Sequence, residues 1–299
     1  MKSRILTWAA GTARFHSLTA AAQLSLTVSL VLVLFAASAS AAPLVYVVTV
    51  SQQFGTVDLA NGHFQPIGSP TPDGMSNLMW WKDGSLLSLT TTGSDVGSLV
   101  KVNPATGEES VIGQTGLGFN AFDLGEVRGK LYLTDFSNNI YSIDRETGIA
   151  TPIAATGMPP DPNIPFTYND DGTFNLCDEG LYSVGGKLYA TFDSYAIDPT
   201  QNPPTIAHVW VSPALYQIDP FTGAATFLAQ TDLQLGALVE VDGKFYAFRQ
   251  VITGFADGFP LAHSQVVTLD LKTGKTNPVS DVDAGPGPVF GAAPVHGRR

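Results

Sequence analysis

One cysteine, Cys177, stands in this 299-residue chain. No intrachain disulfide can therefore staple it, and its stability has to come from burial, which roughly 255 residues can supply as one domain. The odd thiol reads as a buried, inert side chain rather than an interchain bridge. Positive charge is also scarce, with 15 Lys and Arg against 26 Asp and Glu. A chain so acidic repels phosphate backbones, which argues against nucleic acid as a partner. Amphipathic helical periodicity is missing as well. So are a G-x-S-x-G elbow, a phosphate loop and an H-E-x-x-H pair, leaving acyl transfer and phosphate chemistry without a signature.

Long apolar runs are confined to the start of the chain. Lys2, Arg4 and Arg14 precede the uncharged stretch Leu24 to Ala37, and Ala39-Ser40-Ala41 fits an A-x-A cleavage site. Residues 1–41 thus read as a secretory signal peptide, and residues 42–299 as a single exported domain, periplasmic or extracellular. The alternative is an uncleaved anchor, the one route by which this chain would meet a membrane. Removing 1–41 takes away three basic and no acidic residues, so the formal charge moves from −11 to −14.

What is present is a repeat. Val57-Asp58-Leu-Ala-Asn61-Gly62, Val102-Asn103-Pro-Ala-Thr106-Gly107, Ile143-Asp144-Arg-Glu-Thr147-Gly148, Ile218-Asp219-Pro-Phe-Thr222-Gly223 and Leu269-Asp270-Leu-Lys-Thr273-Gly274 share one pattern. In each, the Asp or Asn can accept bonds from N–H groups two or three residues on, and the glycine takes the positive φ that ends a tight turn. The carboxylates are therefore turn residues, not catalysts. The apolar–polar alternation before each turn marks a strand. Another strand follows, and Pro66, Pro152 and Pro278 place it at a sheet edge, because proline cannot donate to a ladder. Two more strands precede, joined at Gly129, Gly186 and Gly243 in Gly-Lys-(Leu/Phe)-Tyr. The unit is four antiparallel strands. Five such units predict an all-β, five-bladed β-propeller, with six blades as the alternative. Leu44 to Val48 matches a second strand and Phe290 to Gly297 a first strand, so the C-terminal strand is expected to complete the N-terminal blade and close the ring.

Spacings between the turns are 45, 41, 75 and 51 residues. The surplus lies in 155–177, 193–213 and 250–264, all expected on the face away from the repeated turns, and loops that grow on one face of a rigid scaffold commonly carry function. The candidate ligand-binding residues there are Tyr168, Asp170, Asp171, Asp178, Glu179, Asp193, His208, Trp210 and His263. Asp161, Asn163, Asn169, Tyr195 and Asp257 accompany them. Thr167 to Asp178 partly echoes a calcium loop, but its first position is Thr and its last Asp, and a hairpin turn at Asn169-Asp-Asp-Gly172 explains it better. His208 and His263 could approach each other over the pore. Asp123 and Asp178 are the carboxylate pair to test for glycosidase-like work, with turn capping as the plainer role.

The phrases Leu215-Tyr-Gln-Ile218-Asp219-Pro-Phe-Thr222-Gly223 and Gly186-Lys-Leu-Tyr189 resemble the repeats of exported bacterial β-propellers, the broad group related to NHL, YVTN and quinoprotein-type repeats. That resemblance implies the fold and licenses no catalytic residue. The expected function is a monomeric binding or scaffold module taking an extracellular carbohydrate, peptide or protein on the insert-bearing face. No cofactor is expected, with calcium the one metal in view and no metal ligands assigned. The alternative is a metal-assisted hydrolase, lactonase- or glycosidase-like, with its site at the channel mouth.

Overall fold

A computed structural model describes residues 43–295, apart from 72, 119–120, 161–166, 233, 284 and 286. Of Phe122, Asp178 and Glu179 only the backbone is described, and residues 1–41, read above as a signal peptide, lie outside the described residues. The described residues form twenty strands in five four-stranded antiparallel sheets. Blade one joins β20 (Val289–Pro294), β1 (Leu44–Thr49), β2 (Phe54–Asp58) and β3 (Phe64–Pro66). Blade two holds β4 (Met79–Trp80), β5 (Leu86–Leu89), β6 (Ser98–Val102) and β7 (Glu109–Gln114). Blade three runs through β8 (Ala121–Val127), β9 (Lys130–Asp135), β10 (Asn139–Ile143) and β11 (Ala150–Ala155). Blade four comprises β12 (Phe174–Val184), β13 (Lys187–Asp198), β14 (Thr205–Ile218) and β15 (Ala225–Gln230). Blade five comprises β16 (Leu235–Val241), β17 (Lys244–Ala256), β18 (Phe259–Leu269) and β19 (Thr276–Asp281). This is a five-bladed β-propeller. Its N-terminal blade is completed by the C-terminal strand, with Tyr46 opposite Ala293 and Val47 opposite Ala292.

The repeated turns form as their chemistry requires. Asp58, Asn103, Asp144, Asp219 and Asp270 each accept an N–H two residues on at 2.8–2.9 Å. Each following glycine N–H returns to the carbonyl of that first residue at 2.8 Å. Those bonds stabilise the ionised carboxylate and hold Asp144, Asp219 and Asp270 below the usual range. In blades three to five the turns between first and second strands place two consecutive residues at positive φ, Arg128-Gly129, Gly185-Gly186 and Asp242-Gly243. Such turns match the right-handed strand twist and favour glycine second. Pro152 and Pro278 lie on outer strands beside register shifts, where a missing donor costs least.

Apolar side chains leave both faces of the middle strands, because each blade is sandwiched between two others. In β6, Leu99 enters the cluster shared with blade three, with Leu124, Leu131 and Leu133. Its neighbour Val100 enters the cluster shared with blade one, with Val48 and Phe54. One such cluster fills each of the five junctions, and the closing one joins Val289 and Ala292 to Phe248 and Val266. Trp80 and Trp81 point opposite ways, as adjacent strand residues must. Trp81 joins the junction with blade three, while Trp80 packs edge-on against Tyr46 and donates to Pro294 O at 2.6 Å.

Candidate functional site

The inserts of blades four and five extend the sheets. What reads in sequence as lengthened loops at 193–213 and 250–264 is continuous hairpin. β13 pairs with β14 as far as Asp198 and Thr205, and β17 with β18 as far as Ala256 and Phe259. Alternating apolar residues explain this: Phe174, Leu176, Tyr195 and Ile197 of blade four bury against one another, with Ile252 and Phe255 of blade five packed on them. This sixth cluster lies beyond the five junctions. Phe174 meets Phe255 edge-to-face at 5.6 Å and Tyr168 at 4.9 Å. Tyr168 Oη donates to Gly258 O at 3.3 Å, tying the blade-four link to the tip of the blade-five hairpin. The insert face is thus a two-hairpin platform with its own core, and close packing restricts its motion.

Three of the nine candidate residues meet on it. His208 and Trp210, two residues apart on β14, set their rings 5.1 Å apart, and His208 Nε2 lies 3.5 Å from Asp171 Oδ2. Trp210 is 43% exposed, and the other two are exposed as well. Asp171 is held below the usual carboxylate range, chiefly by the Thr173 hydroxyl it accepts from at 2.6 Å, with His208 contributing less. Tyr168 packs on Phe174 of the platform core, and Asp170 is exposed in the turn beside Asp171.

The others are placed apart. Asp193 is buried and accepts the Gln234 N–H at 2.9 Å, fastening the link to blade five. His263 lies 3.9 Å from Asp281 and so addresses a carboxylate other than the one beside His208. Asp178 and Glu179 are described only as backbone, opposite Asp193 and Phe192 in the β12–β13 ladder. Asp161 and Asn163 lie outside the described residues. The segment echoing a calcium loop is a hairpin turn. Asn169 N–H donates to Thr173 O, Gly172 takes φ 83°, and the side chains of Asn169, Thr173 and Asn175 bond one another. The side-chain oxygens of Thr167, Asn169, Asp171 and Asn175 accept from neighbouring side chains. Among the described residues no three His, Cys, Asp or Glu side chains are grouped for a metal.

A cavity of about 490 Å³ occupies the channel, and nothing in the sequence pattern marks it. Leu78, Met79, Leu124, Val239 and Ala292 form its walls, with Glu126, Arg128 and Glu240 among the polar residues lining it. Asn77 lies against its lining, with its amide nitrogen donating to Leu124 O at 2.9 Å and Leu181 O at 2.8 Å. Its Oδ1 accepts the Leu78 N–H at 2.8 Å. The Leu181 N–H in turn donates to Asp123 Oδ2 at 3.0 Å. Innermost strands have one ladder edge facing the channel, and Leu181 presents both backbone groups there, so Asn77 and Asp123 supply the missing partners. Burial pushes the Asp123 carboxyl well above the usual range. A second hollow, about 480 Å³, lies around Trp81 between blades two and three. Arg145, Lys82 and Lys101 stand 4.6, 5.3 and 5.8 Å from that ring. Lys101 also binds Asp83 at 2.8 Å, holding its carboxyl down at about 2. These cations come from three separate segments, so no spacing signal could have grouped them.

Comparison with models of protein families gives no match, and neither does comparison with curated proteins. The class rests on the fold: a five-bladed β-propeller bearing a built-up face.

Proposed function

We propose that this protein is an exported binding module that holds an extracellular partner on the face built by the blade-four and blade-five hairpins. The observation that carries this reading is the exposed Asp171–His208–Trp210 cluster, set on a platform with a separate apolar core. Exposed Trp beside a polar pair is costly to leave in water yet productive in recognition, since aromatic anchors dominate binding energies. A preformed platform also reduces the ordering cost that weakens binding by flexible loops. Export is supported by the basic, apolar and small-residue order of residues 1–41. Of the carboxylate pair considered for glycosidase-like work, Asp123 accepts the Leu181 N–H at 3.0 Å, the capping role expected as its plainer one, and Asp178 is described only as backbone.

The test is to probe arrays of glycans and of peptides with the purified protein, beside the Trp210→Ala and His208→Ala variants. At least one ligand class should be retained by the wild type and weakened about tenfold or more by Trp210→Ala, the loss typical of a binding hot spot. Ligands bound equally by all three proteins would place recognition elsewhere and defeat the proposal.

A further inference from the structure

β15 pairs with β14 only from Ala214 to Ile218. Beyond that, Thr205 to Val211 is held on one side by β13, and no described strand lies along its other edge. Thr205 through Trp210 are all exposed, with Ile206 and Val209 at 45% and 46%. The segment reads Thr-Ile-Ala-His-Val-Trp-Val, with no proline, glycine, lysine or acid. Folded proteins blunt long edges with lysine or proline to prevent pairing with other chains. Here the prolines, Pro203, Pro204 and Pro213, stand only at the two ends. An edge of about seven residues, roughly 23 Å long, remains between them, free of lysine and proline and interrupted only by register shifts against β13 near Ala207 and Trp210.

Charge selects the occupant. Residues 155–213 contain seven acidic side chains and one cation, Lys187, which lies at the start of β13, the far end of that strand from Asp198. Asp171 sits beside His208, and Asp198 closes the same hairpin near enough to Asp171 to feel its charge. Pairing two copies edge to edge would bring these acidic groups together. A basic strand meets them with opposite charge, and Trp210 offers a ring face to a lysine or arginine.

We infer that the β14 edge takes up an extended peptide of alternating apolar and basic residues as an added strand. This rests on the binding reading above and names the partner's chemistry. Backbone groups of Thr205–Val211 complete a ladder with the peptide. Its apolar side chains lie against Ile206 and Val209, while its cations reach Trp210, Asp171 and Asp198.

A labelled, end-capped heptapeptide of alternating lysine and valine tests this by fluorescence polarisation, with a scrambled peptide of four lysines followed by three valines as control. The alternating peptide should bind at least about tenfold tighter than the scrambled one. It should lose about tenfold on Ile206→Lys/Val209→Lys, and likewise on Ala207→Lys, both exposed substitutions whose melting is checked against wild type. Equal binding of the two peptides would reduce the effect to bulk charge and overturn the inference. So would no binding, unchanged binding to both variants, or a wild-type dimer that the lysine variants dissociate, since that would make a second copy the occupant. If the peptide fails while an array ligand still depends on Trp210, the strand-pairing inference alone is lost. Failure of both removes the binding reading as well.

Discussion

Replacing Asn77 by leucine tests how the ring is held at its axis. Leucine keeps asparagine's branched four-atom skeleton with bulkier methyl ends, so the substitution removes two donors and one acceptor without opening a hole. Wild-type Asn77 bonds Leu124 O, Leu181 O and the Leu78 N–H at 2.8–2.9 Å, all buried. Each lost bond costs about 1 kcal/mol net, and each backbone group left buried and unpaired costs about 1–3 kcal/mol. Three deserted groups would then cost about 3–9 kcal/mol. The low end applies, because Asn77 lines the channel cavity and water admitted there can reach the two carbonyls. About 3 kcal/mol in a domain of this size corresponds to a fall of about 6–12 °C in melting temperature. Calorimetry on the wild type and Asn77→Leu, with Asn77→Asp as a companion, measures it. The aspartate should be at least as harmful, since its carboxylate would face two carbonyls. Melting of Asn77→Leu within about 2 °C of wild type would refute the claim that this side chain serves the free edges of the inner strands.

Three further perturbations address the turns, the closure and the buried acid. Gly84 and Gly274 both have positive φ, but a methyl added at Gly84 meets nothing, whereas at Gly274 it runs into the Gln230 carbonyl of blade four. Gly84→Ala should cost about 1–2 kcal/mol of backbone strain and Gly274→Ala about 2–5 kcal/mol, with equal melting temperatures counting against the inter-blade contact. A chain ending at Gly287 lacks β20 and so strips Val289 and Ala292 from the closing junction. It should lose cooperative unfolding by circular dichroism; a sharp melt near the wild-type temperature would show that closure is dispensable. The last concerns pH. Burial raises the folded pKa of Asp123 above its unfolded value of about 3.9, so the folded chain binds that proton more tightly. The stability it contributes is fully present below the unfolded value and is lost as pH rises through the folded one. Asp123→Asn keeps an acceptor for Leu181 and removes the titration, so urea unfolding should show the variant improving against wild type as pH rises. A difference that stays flat from pH 4 to pH 8 contradicts this.

The opening repeat was more informative than its turn chemistry suggests. From sequence, Asp-x-x-Thr-Gly shows that a strand turns and that the turn recurs, which is enough for the blade and the count. What it does not show is the second duty of its glycine. A methyl at Gly62 would strike the Asp281 carbonyl of blade five, as one at Gly274 strikes blade four, and Gly107, Gly148 and Gly223 rest likewise on the blades before them. Beside Gly62, Asp283 accepts the Phe64 N–H at 2.9 Å, and at the corresponding places the Ala150 and Ala225 N–H groups donate to Thr115 and Thr156 of the preceding blades. The same five residues thus bend one blade and seat it on its neighbour, a relation between distant segments that no local pattern encodes.

Site legibility divides along the same line. His208, Trp210 and Asp171, which the structure brings together, could be picked out because aromatic and polar residues concentrate in the surplus lengths between repeats. That those lengths are hairpins stacked on a private core was not, because Tyr195, Ile197, Ile252 and Phe255 read locally as ordinary strand residues and gain meaning only when two blades meet. Asn77 was illegible for the opposite reason. It stands outside every repeat, and its role exists only because three inner strands bring their unpaired edges to one axis. Repetition in this chain therefore exposes what each blade needs for itself. What the ring needs as a whole is carried by single residues such as Asn77 and Asp123, and it is there, rather than in the repeated turns, that substitution should be most damaging per atom removed.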